Sequence, residues 1–241
     1  MSSPPFRVPL SIDKDYEGIL TDILRKRQTR PRSDILDTKE RALDIYQCFA
    51  DLPAPPQVTY DDIVRSLHEV KSFDGQSISV HRFELAATGR EQSTETHRAP
   101  AVLQIHGGGM FMGSVEQYVP TVSALVQQSG VQFFSVDYRL APDYPHPAPT
   151  EDCYAALEWL LNSANKLGID PHRVAIQGDS AGGGIAAVVA QMARDRKLTP
   201  KLAKQILIYP MLDDRTLSGD VDLGRSACWT STITQSGGLH Y

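Results

Sequence analysis

Ser180 has glycines two positions away on either side, in Gly178-Asp179-Ser180-Ala181-Gly182, and this is the spacing most able to do chemistry in the chain. The β-branched run Arg173-Val174-Ala175-Ile176 precedes it and the small apolar run Gly183 to Ala190 follows it. Strand, glycine-flanked serine and helix form the setting of a nucleophile elbow. The glycines leave room for a sharp turn whose central residue takes strained, positive-φ geometry, which pushes the hydroxyl out at the carboxyl end of the sheet. A helix that starts at the serine turns its free N–H groups and positive dipole end toward developing negative charge. The same residues also suit a plain strand-to-helix turn with a serine N-cap.

A second candidate is His106-Gly107-Gly108-Gly109-Met110, which follows the short apolar strand Ala101-Val102-Leu103-Gln104-Ile105. Three successive glycines let the backbone approach a ligand closely and present N–H groups without Cβ obstruction. Alone, this stretch reads as a flexible turn. With an elbow roughly seventy residues downstream, it reads as the second source of N–H donors that an elbow requires.

The other polar candidates carry no chemistry in this reading. His68 and His81 lie in alternating strands and are structural, His146 sits in a proline-rich loop, and His172 sits in the turn before the elbow strand. In Asp137-Tyr138-Arg139-Leu140-Ala141-Pro142, Asp137 and Arg139 are expected to pair and fix the loop.

The elements that must position these residues follow from periodicity. Val64 to Ser72 and Ser77 to Leu85 alternate around Asp74-Gly75 and predict an antiparallel hairpin. A solvated loop is expected over Ala86 to Pro100, a helix from Tyr118 to Ser129 ending at Gly130, and a buried strand over Val131 to Val136. An amphipathic helix follows over Glu151 to Lys166, with Leu157, Trp159, Leu160 and Leu161 inward, and then another buried strand over Lys204 to Pro210. Parallel-type strands alternating with helices imply a doubly wound α/β sheet. Residues 1–56 are helical and proline-punctuated and read as an N-terminal cap that either covers the sheet or forms a lid. Residues 57–215 form the core, and 216–241 an irregular tail.

With 241 residues, 41% hydrophobic and 22% charged, the chain has the make-up of a globular protein with one large domain or a domain with a small appendage. A formal charge of −5 without a basic stripe argues against a nucleic-acid partner. The start has no basic and apolar leader pattern, and no apolar run is long enough to span a bilayer. Cys48, Cys153 and Cys228 have no metal-like spacing and read as free thiols, which suits a cytoplasmic protein. No metal and no organic cofactor is expected.

The motifs His106-Gly107-Gly108-Gly109, Asp137 to Pro142, Gly178 to Gly183 and Tyr209-Pro210-Met211-Leu212-Asp213-Asp214-Arg215 stand in register. Together they resemble the hormone-sensitive-lipase-like branch of the α/β-hydrolase fold, over about residues 60 to 215. The resemblance implies a mostly parallel sheet with an N-terminal helical cap. It implies Ser180 as nucleophile, the N–H groups of Gly107, Gly108 and Ala181 as oxyanion donors, and His106 as the residue that holds the glycine loop. The implied reaction is hydrolysis of small to medium carboxylic esters through an acyl-enzyme, with a small-molecule ester as the substrate.

The fold orders its catalytic triad as serine, acid, histidine. After Ser180 the acids are Asp195, Asp213, Asp214, Asp220 and Asp222, and the one histidine is His240 on a Ser- and Gly-rich tail. A further βαβ unit takes about 30 residues, so the last strands, and with them the triad acid and histidine, are expected to be missing; none is identified. A truncated or frame-shifted message would account for this, and Ile206 to Tyr209 would then be an exposed apolar edge prone to intermolecular pairing. A non-catalytic small-ligand-binding protein or an inactive fragment on the same fold is the alternative.

Overall fold

The computed structural model describes residues 60–86 and 98–213, together with Lys14, Gly18 and Thr21. The expected cap over 1–56 (those three positions apart), most of the expected loop, Cys48, Cys228 and the tail over 216–241 lie outside the described residues. Pro56–Leu212 form one compact unit.

The alternating stretches form β1 (Ile63–Lys71) and β2 (Ser77–Leu85), paired antiparallel with Lys71 opposite Ser77. Their turn is held by the Asp74 carboxylate, which accepts from the Gln76 N–H at 3.1 Å, and by Ser72 and Gln76, whose backbones bond at 2.8 Å. β3 (Ala99–Ile105) begins two residues earlier than the periodicity indicates. It leads through the glycine loop into α1 (Val115–Ser129), which Gly130 closes at φ 66°. The buried positions of α1, Val115, Val122, Ser123 and Val126, recur at the spacing of one helical face. β4 (Gln132–Asp137) is buried over its first five residues.

Two helices follow, α2 (Ala148–Asn162) and the short α3 (Ala164–Leu167). β5 (Ile169–Asp179) then runs directly into α4 (Ala181–Asp195), and β6 (Lys204–Ile208) completes a six-stranded sheet. The strand order is β1-β2-β4-β3-β5-β6, antiparallel up to β4 and parallel from β4 to β6. One face is closed by α1, where Val115, Val122 and Val126 pack with Phe83, Val102 and Phe133. The pleat turns the next residue of β4, Phe134, to the other face, where its ring meets Trp159 of α2 edge-on at 6.2 Å. Helices on both faces of a mostly parallel sheet are the doubly wound α/β arrangement that the strand and helix alternation implies.

One expectation is corrected. Arg139 does not pair with Asp137, whose Oδ1 instead accepts from the Val115 N–H at 3.2 Å and so anchors the start of α1. The Arg139 guanidinium donates to Asp152 of α2 from Nε (2.9 Å) and Nη2 (2.6 Å), and to Asp74 of the β1–β2 turn from Nη1 (2.6 Å). Asp152 is fully buried, so the strongest available partner for it is a forked cation, which a neighbour two residues away could not present in the same geometry. β6, read as a buried strand from its apolar residues but as an exposed edge if no further strand follows, is largely exposed: Ile206 is 43% and Ile208 38% accessible, and β5 is its one neighbour among the described strands.

Candidate active site

Ser180 stands where β5 ends and α4 begins, with φ 52° and ψ −120°, a left-handed conformation rare for a residue with a side chain. Its backbone is held from both sides. The Ser180 N–H donates to the Ile208 carbonyl at 2.9 Å, and its carbonyl accepts from Met211 N–H at 2.9 Å and Gly184 N–H at 3.1 Å. The flanking glycines are sterically required. A Cβ at Gly178 would lie 2.1 Å from the Gly182 carbonyl oxygen, and one at Gly182 would lie 2.2 Å from the Ile105 oxygen and 2.4 Å from the His106 oxygen. The Ser180 hydroxyl makes no capping bond to α4, so it is not used as a helix cap.

The glycine loop lies directly against this turn. Gly108 has φ +117°, and its carbonyl accepts from the Phe111 and Met112 N–H groups at 3.2 and 3.0 Å, which folds the loop back on itself. His106 is fully buried, its ring stacked on Tyr138 at 4.2 Å, and its Nδ1 donates to the Gly107 carbonyl at 2.7 Å. The Tyr138 hydroxyl in turn donates to the His106 carbonyl at 2.9 Å. Burial holds the His106 imidazole below its ordinary pKa and therefore neutral. Stacked and bonded in this way, it fixes the loop.

A residue that sequence reasoning did not single out joins the two segments. Tyr118 of α1 accepts the Gly107 N–H at 3.0 Å and donates its proton to Asp179 Oδ2 at 2.6 Å. Burial raises the Tyr118 phenol well above its ordinary range, and the bond to Asp179 raises it further. Asp179 is itself raised by burial, against the stabilising bond from Tyr118. This corrects one expected donor: the Gly107 N–H is already engaged. Among the described residues, the N–H groups of Gly108, Gly109 and Ala181 meet no acceptor. Ser114-x-x-Gln117 is a capping pattern that marks the helix start at Val115, three residues before the expected one, and so places Tyr118 in the first turn beside the loop.

The remaining expected residues do not gather here. Asp195 pairs with its neighbour Arg194 at the far end of α4, about 20 Å from Ser180 at the helical rise. His146 is exposed on a loop, and His172, expected in the turn before the elbow strand, is exposed within β5 itself; His68 packs against Trp159 at 5.1 Å, and Arg65 donates to His81 Nδ1 at 3.2 Å. None of these histidines hydrogen-bonds Ser180 among the described residues. Asp214, Asp220, Asp222 and His240 lie outside the described residues. The described residues hold no group of three or more His, Cys, Asp or Glu side chains able to bind a metal ion, and no helix long and apolar enough to cross a membrane.

A family described as the alpha/beta hydrolase fold matches residues 102–238, more than half of the chain. The chain is 47% identical over 111 residues to carboxylesterase NlhH of Mycobacterium tuberculosis, covering 46% of this chain and 34% of that protein. It is 37% identical over 175 residues to human arylacetamide deacetylase-like 3, covering 72% of this chain and 40% of that one. The matched stretch thus spans between about a third and two fifths of these relatives. Among solved structures, an ester hydrolase from the metagenome of Lake Arreo superimposes with a TM-score of 0.73 at 29% identity, over 95% of this chain and 70% of that chain.

Proposed function

The chain belongs to the α/β hydrolase fold family, and from that premise we propose that it carries the nucleophile and oxyanion half of a serine carboxylic ester hydrolase. In this reading the Ser180 hydroxyl adds to the carbonyl of a small to medium ester. The alcohol departs, and water then releases the acyl group from Ser180. The Gly108 and Ala181 N–H groups receive the oxyanion. Each such donor, fixed before the reaction, contributes about 2.7–4 kcal/mol to the transition state on mutational precedent.

The observation that carries the proposal is the backbone of Ser180. A non-glycine residue with φ 52° at a strand–helix junction, its flanks pressed on a triple-glycine loop, is strain that an ordinary turn has no need to keep. The names of the similar proteins, carboxylesterase and ester hydrolase, support the same reaction class. With no described histidine bonded to Ser180, the general base is the part this reading does not assign.

The test is hydrolysis of p-nitrophenyl butyrate by the 241-residue chain and by its Ser180→Ala variant. With Ser180 as nucleophile, intact-mass spectrometry should find a butyryl-enzyme on the parent chain and none on Ser180→Ala, and turnover should fall in the variant. No acyl-enzyme on the folded parent chain, with equal rates in the two proteins, would overturn the proposal in favour of a non-catalytic ligand-binding protein on this fold.

A further inference from the structure

We propose that Tyr118 and Asp179 are a positioning pair that locks the glycine loop to the nucleophile elbow and thereby aims the Gly108 N–H. The catalytic consequence rests on the ester-hydrolase reading; the coupling of the two segments does not.

The pair joins segments far apart in the chain. One hydroxyl accepts from Gly107, 11 positions away, and donates to Asp179, 61 positions away. Asp179 is the residue before Ser180 and is 9% exposed. A hydroxyl that bonds a desolvated carboxylate forms a short, charge-assisted bond, stronger than a neutral one. Tyr118 is itself held in place. The Asp137 carboxylate fixes the first residue of α1, Ser114 caps the helix through Gln117 N–H at 3.4 Å, and Tyr118 follows one turn inside it. The loop is packed closely against both partners, so that a Cβ at Gly107 would lie 2.8 Å from Asp179 Oδ2 and 3.0 Å from the Tyr118 oxygen.

The bonds fix two successive peptide planes. Tyr118 holds the N–H of the plane between His106 and Gly107, while His106 Nδ1 holds the carbonyl of the plane between Gly107 and Gly108. A trans peptide is planar, with its carbonyl and N–H pointing in opposite directions. Holding the Gly107 carbonyl on His106 therefore points the Gly108 N–H away from the His106 ring. That amide needs no reorientation when charge develops, which is the condition under which an oxyanion donor contributes most. Without the Tyr118 hydroxyl, the first plane is held at its carbonyl alone, by the Tyr138 hydroxyl at 2.9 Å, and loses the clamp on its N–H side.

Two measurements on the full chain test this. Tyr118→Phe removes only the hydroxyl, and Asp179→Ala leaves the hydroxyl but removes its acceptor. In both, amide hydrogen exchange followed by NMR should speed up at Gly107 by at least about tenfold, with exchange in the β3 and β5 amides unchanged. Asp179→Asn, which keeps an acceptor oxygen, should retain most of the protection. Unchanged Gly107 exchange in the folded variants overturns the pair whether or not the chain hydrolyses esters. On p-nitrophenyl butyrate, Tyr118→Phe should lower kcat by about 10–100-fold with KM within about twofold. A raised KM at unchanged kcat overturns the positioning role. Ser180-independent turnover in the parent chain would sink the ester-hydrolase reading alone, and the exchange result would still decide the coupling.

Discussion

A serine held at φ 52° stores about 1–3 kcal/mol of backbone strain, and Ser180 keeps it because Ile208, Met211 and Gly184 fix its amide and carbonyl. The same tightness makes the flanking glycines irreplaceable. Gly182→Ala would drive a methyl group to 2.2 Å from one carbonyl oxygen and 2.4 Å from another, both on backbone that β3 holds in the sheet. The expected cost is about 3 kcal/mol or more, at the upper end of overpacking effects, read as a fall in the urea midpoint. A variant as stable as the parent would show that the turn is looser than this geometry. Ser180 and the three glycines were legible in the sequence because each is a local demand on backbone shape. Tyr118 was not, because its partners lie 11 and 61 positions away and nothing in its own neighbourhood marks a phenol as a clamp. For the same reason the Gly107 N–H looked available when it is engaged.

At the level of elements, Arg139 ties the β1–β2 turn, the loop after β4 and α2 into one assembly. It bonds Asp74 and Asp152, while its guanidinium lies 5.0 Å from the centre of the Tyr144 ring. Arg139→Met leaves the fully buried Asp152 carboxylate without its cation, and the expected loss is about 3–5 kcal/mol at neutral pH. The second bond of Arg139, to Asp74, holds that carboxyl below the usual carboxylate range. A depressed folded-state pKa gives stability that is present above the ordinary carboxylate pKa and is lost as pH falls through the depressed value. The Asp74 part of the gap between parent and variant in urea unfolding should therefore be present near pH 7 and shrink on acidification; a gap that widens toward acid would contradict the assignment. Periodicity was enough to find the strands and helices. It misplaced the start of α1 because Ser114 and Gln117 carry the signal as a cap rather than as an apolar repeat. It left β6 open between a buried strand and an exposed edge, since the apolar run Ile206-Leu207-Ile208 reads the same with one neighbour as with two.

In the described unit as a whole, β3, β4, β5 and β6 run parallel, so their carboxyl ends open at one edge of the sheet. The glycine loop leaves from β3, Asp137 anchors α1 from the end of β4, Ser180 leaves from β5, and the Ile208 carbonyl that fixes Ser180 ends β6. Parallel topology therefore brings together segments separate in sequence, at the edge where open α/β sheets bind their ligands. The central claim is that this edge presents a reactive serine facing amide donors. A fluorophosphonate, whose phosphorus takes a tetrahedral form on a serine oxygen with the P–O oxygen in the oxyanion position, tests it most directly. Intact-mass and peptide mass spectrometry should find one adduct, on the peptide carrying Ser180, and none on the Ser180→Ala chain. No adduct on the folded parent chain, or an adduct at another residue, would contradict the account.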